Sequence, residues 1–121
     1  MAIYTAKIPL KLPSLNDYVL ACRSNKFLAA KMKKDTEYEI GAYLQDIPHI
    51  TKPVLINFHW IEGSKRRDID NVAFAKKFIL DALVKYGKLE NDDNRYVAGF
   101  MDSFEYGRKF AVYVTIEEVE I

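Results

Sequence analysis

The hydrophobic positions of this chain switch between a period of two and a helical period, and each switch marks an element. Residues 2–11, AIYTAKIPLK, alternate in part through Ile3, Tyr4, Ile8 and Leu10 and predict a strand that Pro13 ends. Leu12–Ala21 reads as a loop, with Ser14 and Asn16 as turn formers. From Ser24 to about Asp46 the pattern is helical, with Phe27, Leu28, Met32, Tyr38, Ile40, Ala42 and Leu44 as apolar positions interrupted by lysines. Pro48 and Pro53 bracket a connection holding His49, which reads as a surface histidine. Val54–Ile61, VLINFHWI, is nearly continuous in apolar, β-branched and aromatic residues, the pattern of a central strand. At its end Trp60 reads as core or dimer interface, and His59 as a hydrogen-bonded strand histidine or a cleft-lining one.

Beyond the Glu62–Asp70 loop, turned by Gly63 and Ser64, the helical period returns. Val72, Ala75, Ile79, Ala82, Leu83 and Tyr86 form a core stripe behind the N-cap candidates Asp70 and Asn71, and Gly87 stops the helix as its C′ residue. Phe74, Lys77 and Asp81 project to the opposite side, in line with Asp70. Arg95–Phe104 and Lys109–Glu118 then read as strands joined by the hairpin loop Glu105-Tyr106-Gly107-Arg108. In the last strand Phe110, Val112, Val114 and Ile116 make an apolar face against a mixed face of Ala111, Tyr113 and Thr115. The order βαβαββ predicts a single α+β domain over residues 1–121, a mixed sheet with two helices packed on it.

Composition adds little until charge is followed along the chain. Half of the 121 residues are hydrophobic and 29% are charged, an ordinary globular balance. No apolar run nears the ~18 residues of a membrane span. Met1-Ala2-Ile3-Tyr4 lacks the regions of a secretion signal, so the expectation is a cytoplasmic protein with no membrane partner. The single Cys22 cannot form an internal disulfide and reads as a buried or incidental thiol. Net charge is only +1, yet residues 1–34 carry seven basic residues (Lys7, Lys11, Arg23, Lys26, Lys31, Lys33 and Lys34) against Asp17 alone. Cations crowding the start of a predicted helix oppose its dipole. They fit either a polyanion partner or solvated stems over apolar surface.

The chemistry concentrates in Lys65–Asp93, KRRDIDNVAFAKKFILDALVKYGKLENDD. Asp68 and Asp70 flank Ile69, so an extended segment would project both to one side. Asp92 and Asp93 follow the helix. Several aspartates gathered without a cation repel one another, whereas Mg²⁺ takes oxygen ligands and activates water against a phosphodiester. The upstream Lys65, Arg66 and Arg67 suit phosphates. Together they read as a metal-dependent nuclease site, set against helix caps, turn residues and a solvated charge run. No Walker loop, dinucleotide fingerprint, zinc spacing or nucleophile elbow occurs.

Arg67-Asp68-x-Asp70-Asn71, then Asp81-Ala82-Leu83, then Asp92-Asp93 and a hydrophobic strand resemble the RusA family of Holliday junction resolvases, common in phages and prophages. Leu12-Pro13-Ser14-x-Asn16 resembles the family's Pro-Ser-x-Asn segment. The resemblance implies a homodimeric endonuclease dependent on Mg²⁺, with Mn²⁺ as a substitute, that nicks four-way DNA symmetrically in recombination and repair. It carries the metal-binding acids to Asp68, Asp70, Asp92 and Asp93, with the choice between the last two open. The family's helix lysine lies four residues after the second aspartate, where this chain has Phe74. Counting back from Asp81 gives Lys77, with Lys76 nearer the core stripe. The DNA-facing set is then Asn16, Arg23, Lys26, Lys31, Lys65, Arg66, Arg67 and Lys76. Two alternatives stand beside this reading: a non-catalytic DNA-binding or assembly protein, and a nuclease for other branched DNA.

Overall fold

The computed structural model describes residues 2–120. Its elements run β1 (Ile3–Ile8), α1 (Leu15–Ser24), α2 (Lys26–Gly41), β2 (Val54–Glu62), α3 (Ile69–Ala73), α4 (Lys76–Lys85), β3 (Val97–Tyr106) and β4 (Ala111–Glu118). The chain is a small single-domain α+β protein with a four-stranded mixed sheet in the order β1-β4-β2-β3. Strand β4 is antiparallel to both β1 and β2, while β3 runs parallel to β2. Alternation along β2 sends Val54, Ile56, Phe58, Trp60 and Glu62 to a buried face and leaves Leu55 exposed. Val112, Val114 and Ile116 of β4 and Ala6 and Ile8 of β1 extend that face, which the helices cover. The opposite face meets solvent. No described helix is long and apolar enough to cross a membrane.

Several expectations need correction. Leu12–Ala21 is not all loop: Ser14 starts α1 with a capping box, its Oγ accepting from the Asp17 amide at 3.2 Å while Asp17 Oδ2 accepts from the Ser14 amide at 2.9 Å. The expected helix from Ser24 to Asp46 is shorter, because Asn25 separates α1 from α2 and α2 ends at Gly41. The second helical region also breaks, at Phe74–Ala75, so the order βαβαββ holds only with each helical region counted once. Through the break Ala75, Lys77 and Phe78 donate to the carbonyls of Val72, Phe74 and Ala75, three residues back. That tightening turns the second half by about 60° relative to a single helical wheel. Phe78 is therefore fully buried, and Phe74 packs against Tyr18 and Phe78 at ring-centroid distances of 5.6 and 5.8 Å. Tyr86, expected in the core stripe, is 38% exposed.

The expected hairpin between the last two strands is absent. Both β3 and β4 pair with β2, on opposite sides, so residues 107–110 carry the chain across the end of β2. The Gly107 amide donates to the Glu62 carbonyl at 2.9 Å, and a side chain at Gly107 would press on Ile61, leaving glycine at this crossing. A parallel β2–β3 pair requires a crossover connection, and α3 and α4 supply it.

Candidate functional site

The crossover sets the positions of the acidic pairs. Arg67 is fixed beside the end of β2: its Nε and Nη2 donate to the two carboxylate oxygens of Glu62, each at 2.9 Å, and Nη1 donates to the Leu12 carbonyl at 2.7 Å. The side chains of Arg67 and Glu62 are only 15% and 7% exposed. The guanidinium also stacks 5.6 Å from the Phe110 ring centre. Asp68 follows as the N-cap of α3 by position, but its side chain makes no capping bond. Asp70 lies inside the first turn of α3 rather than in an extended segment, so the period-two argument for a shared side does not apply, and neither Asp70 nor Asn71 is the cap. Both carboxylates are exposed.

The second pair sits elsewhere. Beyond α4, Gly87 takes φ +74° and ends the helix as expected. The Lys88 carbonyl accepts from Ile50, and the Tyr96 carbonyl from Val54 at 2.9 Å, tying residues 88–96 to the start of β2. Asp93 is committed to its own turn: Oδ1 accepts from the Arg95 amide at 2.9 Å and Oδ2 from Arg95 Nη2 at 2.7 Å. The Arg95 side chain thereby holds the Asp93 carboxyl below its ordinary range. Asp92 is exposed and its amide bonds only the neighbouring Asn91 side chain, which makes it the freer of the two. The nine-residue β2 separates the pairs, roughly 26 Å at the usual rise per residue. Convergence of all four carboxylates within one chain is not what this fold provides. Among the described residues no group of three or more His, Cys, Asp or Glu side chains is arranged to hold a metal ion.

The lysines divide as well. Lys76 pairs with Asp102, itself bonded by Trp60 Nε1 at 2.9 Å, and its ammonium lies 5.6 and 5.1 Å from the ring centres of Phe58 and Phe100. Lys77 is more exposed and reaches Asp81 at 3.5 Å, one turn along the helix, where Lys33 also approaches at 3.4 Å. Asn16, Arg23, Lys26, Lys65 and Arg66 are exposed, and Lys31 pairs with Asp35 on the surface of α2. Lys65 leans over the Tyr106 ring at 5.2 Å, placing the basic triplet beside the end of β3. Cys22 is exposed rather than buried. His59 lies in a strand network, its ring nitrogens 2.6 Å from Ser103 Oγ and 2.8 Å from Glu105. His49 bonds the Gly87 carbonyl and Glu90, each of which raises its pKa, the carbonyl most. The Glu62 partner of Arg67 was hidden in sequence. Its signal was an acid at an inward position of an otherwise apolar strand.

No family model matches the chain, and a search of curated proteins finds no match either.

Proposed function

We propose that this protein is a metal-dependent endonuclease that acts on branched DNA as a homodimer, with four-way junctions as the substrate. The observation carrying this reading is the Lys65–Asp70 loop. Two exposed aspartates, one at the N-cap without a capping bond and one in the first helical turn, follow a buried arginine–glutamate latch and a basic triplet. Mg²⁺ in phosphate-processing sites is held by one or two carboxylates, water and substrate phosphate, so Asp68 and Asp70 supply the minimum set. When bound, the ion supplies Lewis-acid activation of the scissile phosphate and of water. Arg66 and Lys65 hold flanking phosphates, and Lys77 stabilises charge developing on the phosphate. Arg67 is spent on Glu62 and acts by positioning Asp68. The basic surface of α1 and α2, with Arg23 and Lys26, takes the DNA arms. The resemblance to RusA-type resolvases supports the junction as substrate, and a two-fold junction suits a two-fold dimer.

A synthetic four-way junction tests this directly. Nicking with Mg²⁺, none with EDTA, and loss of nicking but retention of binding in Asp70→Asn are expected. An intact junction under all conditions favours the second reading, a non-catalytic DNA-binding or assembly protein. That reading draws on the lack of a three-ligand group among the described residues. Cutting of flaps but not of junctions would move the substrate to other branched DNA.

A further inference from the structure

Strand β3 is the longest of the sheet, ten residues, and among the described residues no strand pairs along its outer edge. An edge of that length is normally shortened, bulged or covered, because its free main-chain groups invite another strand. Here Phe100, Met101 and Tyr106 are 45%, 70% and 51% exposed. The Gly107 amide bonds Glu62, which in a parallel ladder turns the odd-numbered groups of β3 toward β2. The amides and carbonyls of Phe100, Asp102 and Phe104 therefore point outward. The His59–Ser103–Glu105 network holds β3 against β2, so this edge is firmly placed.

We infer that two copies of the chain pair antiparallel through β3 into one eight-stranded sheet, bringing the partner's Asp92 and Asp93 to the end of the sheet that holds Asp68 and Asp70. The argument for a second copy is charge and geometry. Glu90, Asp92 and Asp93 precede β3, whereas Lys65, Arg66, Arg108 and Lys109 surround its far end. Antiparallel self-pairing sets the acidic end of each copy against the basic end of the other, twice. The two-fold axis stands perpendicular to the sheet, so both helical layers stay on one face. Centring the pair on Phe100 places the two rings opposite each other, while centring it on Asp102 would oppose like carboxylates. The acidic half of this inference rests on the nuclease reading; the dimer does not.

Sedimentation and chain mixing test the two halves separately. The wild-type chain should sediment as a dimer, and Phe100→Pro as a folded monomer, since that amide serves no bond within the chain. Should Phe100→Pro lose its circular dichroism, Phe100→Asp and Phe100→Lys replace it: each alone monomeric, the two mixed dimeric. A monomeric wild type, or dimers surviving all three substitutions, overturns the pairing. For the site, a chain with Asp68→Asn and Asp70→Asn is mixed with one carrying Asp92→Asn and Asp93→Asn. Each alone should lose at least 100-fold in junction nicking, and the mixture should regain nicking on one strand through its one intact composite site. No recovery on mixing, or an active Asp92→Asn/Asp93→Asn chain, overturns the shared site. If the wild type nicks nothing, the nuclease reading fails, and sedimentation still judges the dimer.

Discussion

Replacing Arg67 with alanine should damage this fold far more than removal of one basic residue near the surface implies. The substitution deletes two contacts to Glu62 and one to the Leu12 carbonyl. It leaves a carboxylate with only 7% of its side chain exposed and no counter-ion. Removing one partner of a buried pair typically costs about 3–5 kcal/mol. The lower end applies here, because Arg67 at 15% exposure lets some water reach the gap. About 3 kcal/mol in a domain of this size lowers the melting temperature by roughly 12 °C. Lysine should recover only part of the loss, since a single ammonium cannot bridge both oxygens and the carbonyl at once. The discriminating case is Glu62→Met with Arg67→Met. With both charges gone, the remaining deficit is the unpaired Leu12 carbonyl, about 1 kcal/mol. Urea denaturation followed by circular dichroism gives all four stabilities and a coupling energy of about 2 kcal/mol. A single variant within 1 kcal/mol of wild type, or a double variant as weak as the single, would refute the latch. Nicking should fall with Arg67→Ala even below its melting point, because the residue after the latch is Asp68.

Three further outcomes follow from local geometry. Ser14→Ala breaks a capping box and should cost about 1 kcal/mol, visible as faster amide exchange in α1; unchanged exchange there rejects the cap. Gly87→Ala forces a Cβ onto a residue at φ +74° and should cost about 1 kcal/mol in urea denaturation, with no loss rejecting the αL stop. The pKa of His49 is raised in the folded state, so its contribution is full below the unfolded value near ~6.5 and lost as pH rises through the folded value. Stability measured from pH 5.5 to 8.5 should fall more in wild type than in His49→Gln, and an imidazole titrating at or below its ordinary value contradicts that sign.

Periodicity made most of the fold legible, and it failed where side-chain chemistry overrode it. The VLINFHWI run is the interior strand β2, because nothing but a strand buries every second residue of so apolar a segment. The early loop hid α1, although Ser14-x-x-Asp17 is a capping box in plain sequence. The hairpin was unreadable from turn residues alone. Gly107 serves a crossing over β2 as well as it would serve a tight turn, and the pairing depends on which edge of β2 is free.

For the site, the residues were legible and their meeting place was not. Asp68–Asp70 and Asp92–Asp93 bracket a helical segment, and helical neighbours across a wheel are easily mistaken for neighbours in space. A segment running from α3 through α4, residues 69–85, advances about 25 Å along its axis. That length matches the strand it crosses, since a parallel crossover returns the chain to the starting end of the sheet. Groups on either side of such a connection are therefore driven apart within one chain, however close their kinship in sequence. Any cation shared by all four carboxylates has to be shared between chains, and β3 is the edge along which a second chain reverses the direction of the first. The four aspartates can be one site only if the protein is a dimer.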